Sequence, residues 1–250
     1  MLCACACACA CVFIQQFLLE WMGNVSIPVF EDAAPVTTMP ASDVLYVFAD
    51  NSNMHIGAQR GVVSTVPGRE QTARVVFLHY ANLMEKVLGT PPRFTARRYV
   101  AGVMPDVVAQ MWREQEFVVR NGTTDDVHAN IDEVLHAQIL DTLMSQEPAT
   151  LVLMTGDGNA NGGRSSFPKC VAAALRLHWR VEVYCWRHST SSFFMAAESL
   201  AKGRLVVHFL DKWREDVSFE TDKLRTKQHA AKHAMLGHML KTSGACVSYV

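Results

Sequence analysis

Hydrophobic positions along the chain fall into two patterns, short unbroken runs and longer stretches with helical spacing. Val44-Leu-Tyr-Val-Phe-Ala49 and Leu151-Val-Leu-Met154 are unbroken. Each gives way to a polar cluster, Asp50-Asn51-Ser52-Asn53 and Gly156-Asp157-Gly158-Asn159 respectively. A continuous apolar run of this length reads as a strand covered on both faces, the situation of a parallel sheet. Further strands are predicted over residues 94–100, 117–120, 180–186 and 205–210, the last being the final strand of the chain. Between them lie helical patterns. Residues 72–88 carry Ala73, Val76, Phe77, Tyr80, Leu83, Met84, Val87 and Leu88 on one helical face, with Gly89 suited to the cap and Pro91-Pro92 barring continuation. A helix is predicted from Asn130, whose side chain and Glu133 form a capping-box pattern, and another from a Ser165 or Ser166 cap to His178. Shorter helices are expected over 106–116 and 193–201, and a terminal one over 222–241. Residues 53–69 read as a polar loop and 101–105 as a turn. Strands alternating with helices of this length predict an α/β fold with a central parallel sheet.

Composition supports a sizeable core: 50% of the 250 residues are hydrophobic and 19% are charged. The net charge of −1 excludes a strongly basic protein, but the charge is uneven. No Lys or Arg precedes Arg60, and seven basic residues fall between Arg60 and Arg98, which allows a local basic patch. Five of the eight cysteines, at positions 3, 5, 7, 9 and 11, alternate with alanine and match no metal-ligand or disulfide spacing. Cys170, Cys185 and Cys246 read as reduced thiols of an intracellular protein, cytoplasmic or nuclear. Residues 1–22 lack the basic start of a signal peptide, and Gln15, Gln16 and Glu20 interrupt their apolar run. They are read as a low-complexity extension, ahead of peripheral membrane association through acylated cysteines and, last, a membrane span. Residues 23–42, with Pro28, Pro35 and Pro40, form a linker; 43–212 form the folded domain and 213–250 a basic helix and tail.

Candidate chemistry gathers at the strand ends, where ligands of open α/β sheets bind. Asp50 and Asp157 each follow a buried strand, and Asp132 opens the helix that leads to the Asp157 strand. Two carboxylates about 5 Å apart repel by roughly 3 kcal/mol at an effective dielectric near 20, so a cluster of them calls for a cation. Hard oxygen ligands suit Mg²⁺ or Mn²⁺, ions that promote phosphodiester hydrolysis. The plain alternative for Asp132 is that a helix N-terminus favours negative charge in any case. Gly158-Asn-Ala-Asn-Gly-Gly-Arg164-Ser165 has the spacing of a nucleotide-binding phosphate loop, but Arg164 stands where that loop needs lysine. A nucleotide triphosphatase is accordingly ranked low. His229 and His233 stand four apart on the terminal helix, among Lys223, Arg225, Lys227 and Lys232, and read as part of a solvated basic face.

Five segments in order resemble the NYN domains of the PIN-like nuclease superfamily. They are Val47-Phe-Ala-Asp50-Asn-Ser-Asn53, Tyr99-Val-Ala-Gly102 with Pro105, Asn130-Ile-Asp132-Glu-Val-Leu135, Val152-Leu-Met-Thr-Gly-Asp157-Gly-Asn159, and Trp179-Arg-Val-Glu-Val-Tyr-Cys-Trp186 with Ser189 and Ser191. The resemblance spans residues 43–212. It implies a PIN-like, Rossmann-like three-layer fold with about five parallel strands, and metal-dependent cleavage of RNA, single-stranded rather than duplex. Asp50, Asp132 and Asp157 correspond to the family's metal-binding acids, and Asn53 to the polar partner of the first. Many relatives carry a further Asp where this chain has Asn159, and an amide oxygen ligates without neutralising charge. A catalytically weakened or inactive RNA-binding module is therefore the competing expectation. Asn53 and Asn159 are expected to orient ligands or water. Arg60, Arg97, Arg98, Arg164 and Arg187 are candidate phosphate contacts, each with a solvated-surface alternative. Assembly as a homo-oligomer is left open.

Overall fold

Alternation within the two unbroken runs builds the molecule. In β1 (Val44–Asp50), Leu45, Val47 and Ala49 enter one hydrophobic layer and Phe48 enters the other. In β5 (Thr150–Met154), Val152 and Met154 join the first layer, and Leu151 and Leu153 join the second. Side chains of a strand point alternately to opposite faces, so a strand apolar at every position must be covered on both. The computed structural model describes residues 44–60, 74–122, 131–158 and 165–222.

Around β1 and β5 stand β3 (Phe94–Gly102), β4 (Val118–Asn121), β6 (Arg180–Cys185) and β7 (Leu205–Phe209). They form a six-stranded sheet in the order β4-β3-β1-β5-β6-β7, and every neighbouring pair is parallel. One face is covered by α1 (Asn51–Arg60), α2 (Tyr80–Leu88) and α3 (Asp106–Glu114), through Met54, Ala58, Leu83, Met84 and Trp112. The other face is covered by α4 (Ile131–Ser145), α5 (Phe167–Arg176) and α6 (Ser192–Leu200), through Leu135, Ile139, Val171, Leu175 and Phe193. The result is a Rossmann-like three-layer α/β fold, with six parallel strands where about five were expected. From β1 the chain winds outward to β3 and β4, then returns to β5 on the other side of β1. That reversal opens a crevice beyond the carboxyl ends of β1 and β5, where ligands of such sheets bind.

Three local assignments differ from expectation. The polar stretch after Asp50 is helix α1 rather than loop. The Asn53 N–H donates to Asp50 Oδ1 at 3.0 Å, so Asp50 caps the helix, and Met54 and Ala58 bury its inner side. Residues 72–88 do not form one helix. Arg74–Leu78 is a strand, β2, and only Tyr80–Leu88 is helical. β2 pairs antiparallel with β8 (Ser218–Asp222), reached through a short 3₁₀ turn (Leu210–Trp213) and α7 (Arg214–Val217). The Gln59 side chain accepts from the Val76 N–H at 3.1 Å and donates to the Val76 carbonyl at 2.6 Å, supplying β2 with a surrogate strand partner. Val76 satisfies helical spacing with Tyr80, Leu83 and Val87 by coincidence, because its distant cross-strand partner, Glu220, decides its conformation. β8 also makes β7 the last strand of the large sheet only, and carries the fold past residue 212. Finally, Ala101 and Gly102, expected in a turn, complete β3, with Ala101 level with Asp50. Gly102 has φ +154°, and a Cβ there would come within 2.9 Å of Asn51 Cβ.

The expected terminal helix lies outside the described residues except for Asp222, which belongs to β8. The N-terminal extension and the linker also lie outside them. Among the described residues, no helix is long and apolar enough to cross a membrane.

A polar clamp ties α2 to the sheet. Arg93 donates to the Leu88 and Val87 carbonyls that α2 leaves unpaired, and makes a bidentate pair with Glu182 of β6 at 2.6 and 2.9 Å. Burial opposes ionisation of Glu182, but hydrogen bonding and charge from Arg93 prevail and hold its pKa below the ordinary carboxylate range. Arg93→Ala should lower stability by about 2–3 kcal/mol near neutral pH, measured by urea unfolding. A depressed carboxylate stabilises above its unfolded pKa and loses that contribution as pH falls through its folded pKa. The gap between wild type and variant should therefore shrink on acidification below about pH 4.

Candidate active site

Asp50 occupies the end of the central strand β1 and is itself 5% exposed. Its Oδ1 receives the Asn53 N–H, and its Oδ2 receives the Thr155 hydroxyl at 3.3 Å. Thr155, the first residue beyond β5, also accepts the Asp157 N–H at 3.1 Å. One hydroxyl thus links the residues that carry the two strand-end acids. Asn53 makes the second link, accepting the Gly156 N–H on its Oδ1 at 2.8 Å. A backbone N–H can only donate, so this bond sets the orientation of the amide and leaves Nδ2 as the group available to a ligand.

Two of the three acids named from sequence, Asp50 and Asp132, respond to the charge of the others. Burial is the largest influence on Asp50 and raises its pKa to about 7. The Asn53 N–H and Thr155 oppose the rise, while the charges of Asp132 and Asp157 add to it. Asp132, the second residue of α4, is also raised, first by desolvation and then by Asp157 and Glu133. Asp50, Asp132 and Asp157, from three separate segments, therefore share one negative field at the crevice between β1 and β5.

The chemistry of this donor set fits Mg²⁺ or Mn²⁺, since carboxylate oxygens are hard ligands and like charges held together gain from a cation. Among the described residues, however, no three His, Cys, Asp or Glu side chains are disposed to enclose one. Magnesium is commonly held by one or two carboxylates with several waters, an arrangement that needs no closed cage.

Glycines let a second loop support Asp157. A Cβ at Gly156 would lie 2.5 Å from the Ser189 carbonyl oxygen, and one at Gly158 would lie 2.4 Å from Ser191 Oγ. The Ser191 N–H donates to the Gly156 carbonyl at 2.9 Å, while Ser191 Oγ caps α6 by accepting from the Phe193 N–H. Asn51 is held from the other side: its Oδ1 accepts from Trp112 Nε1 at 2.9 Å, in a buried contact. Residues 159–164, and with them Asn159, Arg164 and most of the phosphate-loop pattern, lie outside the described residues. So does the side chain of Arg60, at the end of α1.

The remaining arginines divide. Arg97 and Arg98 sit level with Tyr46 and Val47, well before the carboxyl end of the sheet. Arg97 is bound to Thr142 and Asp141; Arg98 is bound to Thr95, the Gln115 carbonyl and Glu116. Both brace the strand against its helices. Arg187, exposed in a 3₁₀ turn (Arg187–Ser189) just after β6, is at the same sheet end as Asp50 and Asp157.

Thr155, Ser191 and Asn51 were not among the residues anticipated for the site. Thr155 completes an apolar run and is indistinguishable there from a β-branched strand residue. His136 was also missed. It follows Asp132 by one helical turn, its Nδ1 lies 3.2 Å from Ser165 Oγ, and its buried Nε2 has no partner among the described residues. Burial lowers its pKa to about 4, so it is neutral at physiological pH.

No protein-family model matches the chain, and no curated protein does. A solved structure of a protein of unknown function from Vibrio parahaemolyticus is similar, with a TM-score of 0.48 and 12% identity over 67% of this chain and 94% of that one.

Asp50 gives the site a thermodynamic signature. The folded chain keeps a proton on Asp50 up to about pH 7, whereas the unfolded chain releases it near pH 4. Stability should therefore fall as pH rises between those values, by about 4 kcal/mol in total. Asp50→Asn keeps an oxygen to cap α1 and removes the charge, so it should raise metal-free stability at pH 8 by roughly 2–4 kcal/mol and change it little at pH 4. Thermal and urea unfolding at both pH values measure this; a variant no more stable at pH 8 would contradict the buried-charge account.

Proposed function

We propose that the protein is a metal-dependent ribonuclease, with Asp50, Asp132 and Asp157 holding Mg²⁺ or Mn²⁺. The observation that carries this reading is the coupling of three carboxylates from three segments at the crevice where the strand order reverses. When bound, such an ion activates water and stabilises the charge that develops on a phosphodiester. The chain's own part is positioning. Asp50 is immobilised through both carboxylate oxygens, by the start of α1 and by Thr155. Asn53 fixes the loop that carries Asp157 and presents Nδ2 to a phosphate oxygen. Thr155 couples the two strand ends, so Asp50 and Asp157 cannot shift independently. The NYN-type resemblance of these segments supports RNA as the substrate.

A non-catalytic RNA-binding module is the second reading. It is favoured by the open arrangement of the acids, which among the described residues enclose no cation as a trio.

Purified protein should cleave single-stranded RNA with Mg²⁺ or Mn²⁺ and stop when a chelator is added. Asp157→Asn should reduce the rate at least 100-fold with an unchanged circular dichroism spectrum, in line with loss of a group that stabilises charge in the transition state. Full activity in that variant, or in chelator, would refute the metal mechanism. Salt-sensitive RNA binding without turnover under either ion would establish the second reading.

A further inference from the structure

Beyond the acids, the same end of the sheet carries a run of cations lying on aromatic rings. The Arg187 guanidinium lies over the Phe209 ring at 4.0 Å, Lys212 Nζ over Trp213 at 3.9 Å and the Arg214 guanidinium over Trp186 at 4.4 Å. Arg214 is partly committed, to Asp211 at 3.7 Å and to the Ala58 carbonyl at 3.2 Å. Arg187 and Lys212 are exposed, and neither forms an ion pair among the described residues. The nearby acids are engaged elsewhere. Asp211 accepts the Arg187 backbone N–H and meets Arg214, Asp216 pairs with Lys86, and Glu198 accepts the Val207 N–H. Glu215 is the remaining exposed acid of this segment.

This surface is continuous with the carboxylates. Arg187 begins the turn whose next residues, Ser189 and Ser191, pack on Gly156 and Gly158 on either side of Asp157. The Arg187 N–H bond to Asp211 at 2.7 Å brings Lys212 to the same loop, so a polymer passing Asp157 along it can meet both cations. Cations seated on rings suit a single strand, since the ammonium and guanidinium groups attract phosphates and the planar face of the Arg187 guanidinium can accept an unpaired base. A stiff duplex offers phosphates but no free base faces.

We infer that Arg187 and Lys212, seated on Phe209 and Trp213, form a track that binds single-stranded RNA leaving the acidic site. The inference rests on the ribonuclease reading for its choice of polymer, but its test needs no turnover. The protein carrying Asp157→Asn would be titrated with fluorescein-labelled single-stranded RNA of about 12 nucleotides, and anisotropy recorded at several salt concentrations. Adding Arg187→Gln and Lys212→Gln should weaken binding at least tenfold. It should also flatten the slope of log K against log salt by about 1.4, since each single-strand phosphate contact contributes about 0.7. A melting temperature within about 2 °C of the parent would show that packing survives; if the double variant melts lower, Lys212→Gln alone should still flatten the slope by about 0.7. Unchanged affinity and slope would overturn the track, as would equal affinity for duplex RNA. Cleavage by the wild-type chain, assayed in parallel, reports on the acids alone, so either reading can fail without the other.

Discussion

The rest of the structure depends on burying one carboxylate at the end of the central strand. Asp50 is where β1 stops, where α1 starts and where β5 is tied across by Thr155. Each bond it accepts is ordinary: a helix cap and a hydroxyl. Together they hold an acid in an apolar setting, beside two others, where its ionised form is disfavoured. A residue kept for stability alone would be neutral there. Burial disfavours charge of either sign, but the part of the penalty that comes from Asp132 and Asp157 is one that a cation would relieve.

The parts of the fold that were legible in sequence are those set by local burial. The unbroken runs of β1 and β5 require cover on both faces whatever surrounds them, and Ser166 caps α5 by accepting from the Lys169 N–H. Asp50, Asp132 and Asp157 were legible for a related reason: strand ends and helix starts are locations that sequence pattern can specify. What escaped depends on distant partners. β2 is a strand because β8 and Gln59 complete its hydrogen bonds, and nothing within residues 74–78 announces either. α1 was hidden by its polarity, since beyond Asn51 only Met54, Gly57 and Ala58 among its described residues are buried once Asp50 caps it. The pairing of Arg97 with Asp141 and of Arg98 with Glu116 was not legible, because charge in sequence does not reveal what it meets in the fold.

The two sides of the crevice are built by different means. On the β1 side the backbone is pinned by side chains: Asn51 to Trp112, and Trp186 Nε1 to the Met54 carbonyl at 3.0 Å. On the β5 side it is pinned by the absence of side chains, at Gly156 and Gly158, which let the loop after β6 lie directly on it. Asn53 and Thr155 join these two halves, so Asp50 and Asp157 are held by short side-chain bonds added to the pairing of β1 with β5.

The β2–β8 ribbon has a practical meaning for anyone handling pieces of this chain. Its strands come from the first crossover and from the far end of the described fold, and Val217 accepts the His79 N–H beside them. A fragment ended at residue 212 would keep the whole parallel sheet and all three acids. It would also strip β2 of its partner strand, leaving the Phe77 ring without Phe219 and an open edge ready to recruit another copy. Aggregation of such a fragment would be a symptom of where it was cut, and would say nothing against the site it still contains.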